Sequence, residues 1–394
     1  MATQMMMHDF EAMISRRCRA IDVSGIRSVF ELGAELADPI NLSIGQPDFP
    51  VPEALKQSAI DAIRADHNGY TLTQGIPELR ERIAAHLTQD IGWDMSAGDL
   101  SVLVSSGTSG ALLLASMALL DPGDEIIVGD PYFVAYPAIA ELAGATLVCC
   151  NTHPDFRLTA ARVERAITPS TKILLLNSPG NPSGVVLTGD ELRDLVELCR
   201  AHGVLIVSDE IYDEFTYADA REGGRCPSPA RFTDEMLLVR GFGKSYGCTG
   251  WRMGYAAGPA KIIREMAKLQ QYTFVCAPSM AQYGLLGVFD VDMSGMVEAY
   301  RRRRDMVLEA FEGVTDVARP GGAFYAFVEV PGALGLTASE FVHRGIERNV
   351  LTIPGSVFSR RDTHFRLSYA AREDKLRAGL DILVGLMSDI PTTA

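Results

Sequence analysis

Four short segments of this 394-residue chain place reactive or donor side chains directly after apolar runs. In Gly241-Phe242-Gly243-Lys244-Ser245 a single lysine follows such a run, and in Ser208-Asp209-Glu210-Ile211-Tyr212 a carboxylate does, with a phenol three residues further on. In Ser105-Ser106-Gly107-Thr108-Ser109-Gly110-Ala111 small residues lead into a helical pattern, where free backbone N–H groups and the positive dipole end favour an anion such as phosphate. The fourth, Asn177-Ser178-Pro179-Gly180-Asn181-Pro182-Ser183-Gly184, is rich in amide and hydroxyl groups. Gly243-Lys244-Ser245 suggests a nucleotide P-loop, but that motif needs glycine six residues before the lysine and position 238 is leucine. Singly, each segment reads as an ordinary turn or cap. Together they supply an amine for a Schiff base, a carboxylate for a ring nitrogen, donors for a phenolic oxygen and a cradle for a phosphate. One cofactor with an aldehyde, a pyridine ring and a phosphate would use all four.

These segments need a scaffold that brings strand ends together. Apolar, β-rich runs at 101–104, 125–128, 146–149, 172–176, 204–208, 236–240 and 254–257 alternate with helical patterns. Near-continuous apolar strands are covered on both faces, so the alternation predicts an α/β layer architecture with a mostly parallel sheet. In such sheets ligands bind past the carboxyl ends of the strands, where the reactive segments lie. Capping-box spacing at Thr188/Glu191 and Thr337/Glu340 starts two helices; Gly203 ends the first of these, and Gly144 ends a helix expected to begin near Tyr132. Beyond about residue 290 the pattern changes to a smaller α+β unit.

Composition narrows the partners. With 47% hydrophobic and 22% charged residues the chain is an ordinary globular one, long enough for roughly two domains. A net charge of −14 repels polyphosphate backbones and speaks against nucleic acid. The longest apolar stretch, 111–120, is about half of what a bilayer requires, so no membrane span is expected. Seven cysteines without CxxC spacing argue against a disulfide framework and a metal site, and point to a reducing, cytoplasmic setting. The run Arg301 to Arg304 is interleaved with Glu298, Asp305 and Glu309 and reads as a solvated helix face.

The sequence resembles the class I and II aminotransferases, pyridoxal-phosphate enzymes of fold type I. The resemblance runs from Asn41-Leu42-Ser43-Ile44-Gly45-Gln46-Pro47-Asp48-Phe49, through Tyr70, Gly75 and Leu79-Arg80, to Phe365-Arg366-Leu367-Ser368. Spacings are 28 residues from Asn181 to Asp209, three from Asp209 to Tyr212 and eight from Lys244 to Arg252. The fold implied is a large cofactor-binding domain, 46–285, with a seven-stranded mostly parallel sheet flanked by helices. A small α+β domain, 1–45 with 286–394, completes it.

By the same resemblance, Lys244 forms the Schiff base with pyridoxal 5'-phosphate and then moves a proton on the substrate. Asp209 pairs with the ring nitrogen, Tyr212 and Asn181 bond the ring oxygen, and Phe133 stacks on the ring. Gly107, Thr108, Ser109 and Arg252 hold the phosphate, joined by Tyr70 of the partner subunit in a homodimer with shared sites. Arg366, with Asn181 and the backbone at Gly45, clamps the substrate carboxylate. The implied reaction moves an amino group from an L-amino acid to a 2-oxo acid, 2-oxoglutarate or a similar acceptor. A carbon–sulfur β-lyase or a non-catalytic cofactor-binding regulator are the alternatives on this scaffold.

Three departures stand out. The family usually has serine three residues before the lysine, where this chain has Gly241, and Gly243 directly precedes Lys244. The family's Pro-Gly-x-x-Phe-Gly ends here in Ser359, and Ser109 stands where one aspartate-specific subgroup has lysine. Losing a charge-assisted hydrogen bond of roughly 1.5–3 kcal/mol loosens the cofactor unless Ser245, Thr108, Ser109 or water takes its place. Dialysis is therefore expected to strip cofactor measurably; undiminished activity after extensive dialysis would contradict this.

Overall fold

Each expected strand forms in the computed structural model, which describes residues 10–33 and 36–388, and its limits fall within two residues of the expected ones. The strands are β1 (Leu100–Ser106), β2 (Glu125–Asp130), β3 (Thr146–Asn151), β4 (Thr171–Asn177), β5 (Leu205–Asp209), β6 (Leu237–Gly241) and β7 (Met253–Pro259). They make one sheet in the order β1-β7-β6-β5-β4-β2-β3, parallel except for β7, which is antiparallel to both neighbours.

The unbroken apolar runs follow from cores on both faces. Val102, Ile127, Leu174, Ile206 and Leu238 pack on one side against Leu79, Ile83 and Leu87 of helix Pro77–Ile91 and Leu192 and Leu195 of helix Gly189–His202. Leu103, Ile126, Ile173, Val207 and Val239 pack on the other against Leu112 and Leu114 of helix Gly107–Leu119 and Ile263 and Met266 of helix Ala260–Tyr272. With side chains alternating between two buried faces, both parities of residue must be apolar. Cutting a central side chain such as Leu174 to alanine costs about 2–5 kcal/mol.

Both capping boxes close as their spacing requires, and the first box's helix ends at Gly203 in the left-handed conformation, φ 66°. The helix expected near Tyr132 instead starts at Ala135. Pro131 and a Tyr132 N–H committed to the Phe358 carbonyl, 2.7 Å away, hold the preceding residues outside it.

After helix Ser294–Phe311 come strands β8 (Tyr325–Glu329), β9 (Ile353–Pro354) and β10 (His364–Ser368), an antiparallel sheet ordered β9-β10-β8. Helices Ala338–Glu347 and Glu373–Ser388 cover it, sharing a core that includes Phe341, Phe365 and Leu383. Ile40–Asn41 pairs in parallel with Val350–Leu351, tying the amino-terminal segment to this part. Residues 1–9, 34–35 and 389–394 of the expected small domain lie outside the described residues.

The Arg301–Arg304 expectation needs correction. Arg301 does bond Glu298 and Asp305 on the surface. Arg304, however, shares the inward face with Tyr300, Val307 and Phe311, and is fully buried. Asp219 at 2.9 Å and the face of Tyr217 at 5.0 Å meet its charge there.

A second buried guanidinium lies under the sheet's active edge. Arg240 of β6 bonds Glu210 at 2.9 Å and Asp90 at 2.8 Å and lies 3.2 Å from Asp213, while Ser208 and Ser228 donate to Glu210. Removing one partner of a buried ion pair strands the others' charges. Arg240→Met should lower unfolding free energy in urea by about 3–5 kcal/mol; a loss under about 1 kcal/mol would mean that the acids are hydrated instead.

Candidate active site

The carboxyl ends of β4, β5 and β6 and the start of helix Gly107–Leu119 open on one cavity of about 330 Å³. Gly45, Gly107, Thr108, Ser109, Phe133, Asn181, Asp209, Tyr212, Lys244, Arg252 and Arg366 all line it. Tyr70 does not: it is 87% exposed on the surface of the single chain.

Lys244 sits in the one-turn helix Phe242–Ser245 that follows β6, with its Nζ donating to the Gly45 carbonyl. Enclosure in the cavity, reinforced by the Arg366 and Arg252 charges, pulls its pKa down to about 8. Its amine is thus substantially neutral in mildly alkaline water, where an exposed lysine is almost wholly protonated.

Asp209 terminates β5 with both oxygens engaged. Tyr136 donates to Oδ2 at 2.9 Å and the Ile211 N–H to Oδ1 at 3.4 Å. Burial nevertheless raises its pKa to about 6, despite the lowering pull of the Tyr136 hydrogen bond. Asn177 donates to the Asp209 backbone carbonyl at 2.9 Å and accepts from the Asn181 N–H at 2.8 Å, joining the two strand-end segments. A carboxylate so placed is matched to a cationic N–H donor arriving through the cavity.

The other end is built for an anion. Helix Gly107–Leu119 has no side-chain cap, so its leading N–H groups are unclaimed by one. Gly107 has φ 70°, and a Cβ there would stand 2.8 Å from Arg252 Nη2. Only glycine lets that guanidinium lie against the helix start.

A side chain at Gly241 would strike Ile211 Cδ1 at 2.7 Å and Thr108 Cγ2 at 2.9 Å. The serine absent from this position therefore has no space to return, because Thr108 and Ile211 fill it. Ser245, named above as a compensating donor, is buried with an unpartnered hydroxyl and does not line the cavity. Its side chain sits in the packed interior beneath the Lys244 turn. Thr249 lines the cavity instead.

Arg366 of β10 closes the opposite side. It donates to Asn181 Oδ1 at 3.1 Å and to the Ser43 carbonyl at 2.7 Å, and its Nε has no partner. The guanidinium is flanked by the rings of Tyr325, 4.6 Å away, and Phe358, 4.7 Å away. Phe358 keeps this place although Ser359 follows it. Stacked, buried and incompletely bonded, the fork suits a carboxylate. An amine, a buried carboxylate, a phenol and an uncapped helix start with Arg252 together fit pyridoxal phosphate, with room left beside Arg366.

Sequence reasoning missed Tyr136, Asn177, Thr249, Tyr325 and Ile26, which also bear on the cavity. Tyr136 lies three residues after Phe133 on a helix start, a spacing that could have flagged it. Asn177 stands in the strand-end segment already singled out, and Thr249, Tyr325 and Ile26 carried no signal apart from the fold. Phe133 lines the cavity, whereas its neighbour Tyr132 and Phe358 are absent from the lining.

Comparison with known proteins identifies the family and the fold. The profile of the family described as aminotransferase class I and II matches residues 37–383. A probable aspartate aminotransferase of Methanocaldococcus jannaschii is 35% identical over 381 residues, covering 94% of this chain and 99% of that protein. The aspartate/prephenate aminotransferase of Thermus thermophilus is 36% identical, covering 93% and 97%. Among solved structures, aspartate aminotransferase of Thermotoga maritima superposes with a TM-score of 0.89 at 34% identity, covering 95% and 100% of the two chains. The Thermus thermophilus aspartate aminotransferase with maleate gives 0.88 at 36% identity, covering 95% and 99%.

The lowered Lys244 pKa has a direct readout. Only the neutral amine reacts with an acylating reagent, so labelling of Lys244 in cofactor-free protein should rise with pH to a midpoint near 8. Peptide mass spectrometry resolves this from exposed lysines; a midpoint at 10 or above, the ordinary lysine range, would refute the enclosure argument.

Proposed function

Because this chain belongs to the class I and II aminotransferases, we propose that it carries the amino group of an L-α-amino acid to a 2-oxo acid, 2-oxoglutarate or a similar acceptor, at the cavity around Lys244. It is a pyridoxal-phosphate-dependent aminotransferase. The observation that carries the site assignment is the meeting of Lys244, the Asp209–Tyr136 pair and Arg366 in one enclosed space.

When bound, the cofactor supplies an electron sink for negative charge at the substrate α-carbon. The protein's own groups do the rest. Lys244 would tether the cofactor through its Nζ and would serve as the base that takes and returns the substrate α-proton, a task that its lowered pKa suits in both directions. Asp209 holds the ring nitrogen protonated, and Tyr136 holds Asp209. Tyr212 and Asn181 donate to the ring oxygen, and Phe133 covers the ring face. Gly107, Thr108, Ser109 and Arg252 bind the phosphate. Arg366, steadied by Asn181 and Ser43, fixes the substrate carboxylate and with it the direction of the Cα–H bond.

The same reading makes the enzyme a homodimer in which Tyr70 of the partner subunit completes the phosphate site. An apolar cleft of about 430 Å³ supports it: Ile60, Ile63, Trp251 and Met280 line that cleft beside Arg252, on the surface of the single chain. Residues 46–285 form the cofactor domain and 1–45 with 286–394 the small one. A cytoplasmic place in amino-acid biosynthesis accords with seven free cysteines, of which Cys150, Cys199, Cys226 and Cys248 are buried thiols.

A single half-reaction tests the function. Mixed with a panel of L-amino acids and no acceptor, the holoenzyme should lose its visible absorbance with release of one equivalent of 2-oxo acid, and regain it on adding 2-oxoglutarate. Continuous release of pyruvate and ammonia without an acceptor would replace transfer by elimination.

A further inference from the structure

Tyr325, whose ring flanks Arg366, is given no role toward the cofactor above, yet three of the groups named there converge on it. It opens β8 opposite Ser368, is buried and lines the cavity. Its hydroxyl lies 3.0 Å from that of Tyr212. Its ring lies under the Arg366 guanidinium at 4.6 Å. A Cβ at Gly45 would come within 2.8 Å of the same hydroxyl, so glycine is what lets the backbone that accepts from Lys244 run beside it.

Two phenols that share one hydrogen bond have two protons between them, and only one is used in the bond. The other points away from the pair. Where Tyr212 donates to Tyr325, the free proton is on Tyr325 and Tyr212 has none left for an acceptor in the cavity. Where Tyr212 accepts from Tyr325, its own proton is free to point inward. Burial raises the pKa of both phenols above the ordinary tyrosine value, so both protons are present at neutral pH. An acceptor in the cavity therefore selects the second arrangement, and a phenol that accepts one hydrogen bond donates the next more strongly.

We propose that Tyr325 is a positioning residue for both halves of the site: its hydroxyl donates to Tyr212 and so aims the Tyr212 proton at the cofactor's ring oxygen, while its ring seats Arg366 for the substrate carboxylate. The proposal rests on the reading in which Tyr212 serves the ring oxygen. It assigns the two tasks to different parts of one side chain. The hydroxyl acts on the cofactor's protonation and the ring acts on substrate binding.

Two substitutions separate them. Tyr325→Phe keeps the ring and removes the hydroxyl. The weakened donor then favours the fully anionic ring oxygen less, and the pH midpoint of the bound cofactor's visible absorbance should rise by about 0.5–1 unit, the worth of one ordinary hydrogen bond. In the same variant kcat should fall about 3- to 10-fold while KM for the amino acid stays within about 2-fold. Tyr325→Leu removes the ring as well, and its KM should rise about 3- to 30-fold over that of Tyr325→Phe. An absorbance midpoint in Tyr325→Phe within about 0.2 unit of the unsubstituted enzyme overturns the proposal, since a merely structural tyrosine would leave it there. Equal KM values for the two variants overturn the seating of Arg366. Should Tyr325→Leu fail to fold, Tyr325→Phe decides alone through the midpoint. An unsubstituted holoenzyme without any pH-dependent visible band would overturn the parent reading, and this one with it.

Discussion

Burying a lysine amine beside the buried Arg366 guanidinium, with the exposed Arg252 lining the same cavity, is unfavourable, and the site is organised around that constraint. Desolvation and the positive neighbours Arg366 and Arg252 act on Lys244 in the same direction, toward the neutral amine. Asp209, the one carboxylate lining the cavity among the described residues, is itself pushed toward its neutral form by burial. Lys244, Arg366 and Asp209 thus each lack part of the solvation they would have in water. A ligand that brings an anion to Arg252, a cationic N–H to Asp209, a carbonyl carbon to Lys244 and a carboxylate to Arg366 relieves all of these at once. The affinity of the site and its reactivity have the same electrostatic source.

That arrangement depends on close approaches that only small residues permit. Gly107 lets Arg252 reach the helix start, and Gly45 lets its carbonyl pass Tyr325 on the way to Lys244. Gly254 does the same for the sheet, where a Cβ would lie 2.8 Å from the Thr108 nitrogen. Gly241, which read as the loss of a phosphate donor, belongs with them: its missing side chain is the space that Thr108 and Ile211 occupy.

Much of this was legible because it is local. Strands covered on both faces are apolar at nearly every position, so 172–176 and 236–240 announced themselves despite Lys172 and Arg240, and the reactive groups follow such runs directly. Helix starts were legible where a polar side chain closes them, as at Thr188 and Thr337, and less so at Ala135, where a distant carbonyl at Phe358 sets the boundary. Arg304 misled because ion-pair spacing on a helix is the same whether the face is wet or dry. What decided it was Tyr217 and Asp219, more than eighty residues away. Tyr325 and Ile26 had no motif at all; only the packing of one sheet beside another gives them a role.

The Arg366–Ser43 hydrogen bond joins residues 323 positions apart, whereas every strand of the large sheet lies between residues 100 and 259. On a ribosome, where chains grow from the amino end, the whole phosphate cradle and the lysine emerge before residue 366 exists. Ser43 must wait through most of translation for the partner that its carbonyl will accept from. Under the roles proposed above, the chain would thus carry its own groups for the cofactor before the one that clamps the substrate carboxylate, and the last stretch of synthesis would supply that clamp.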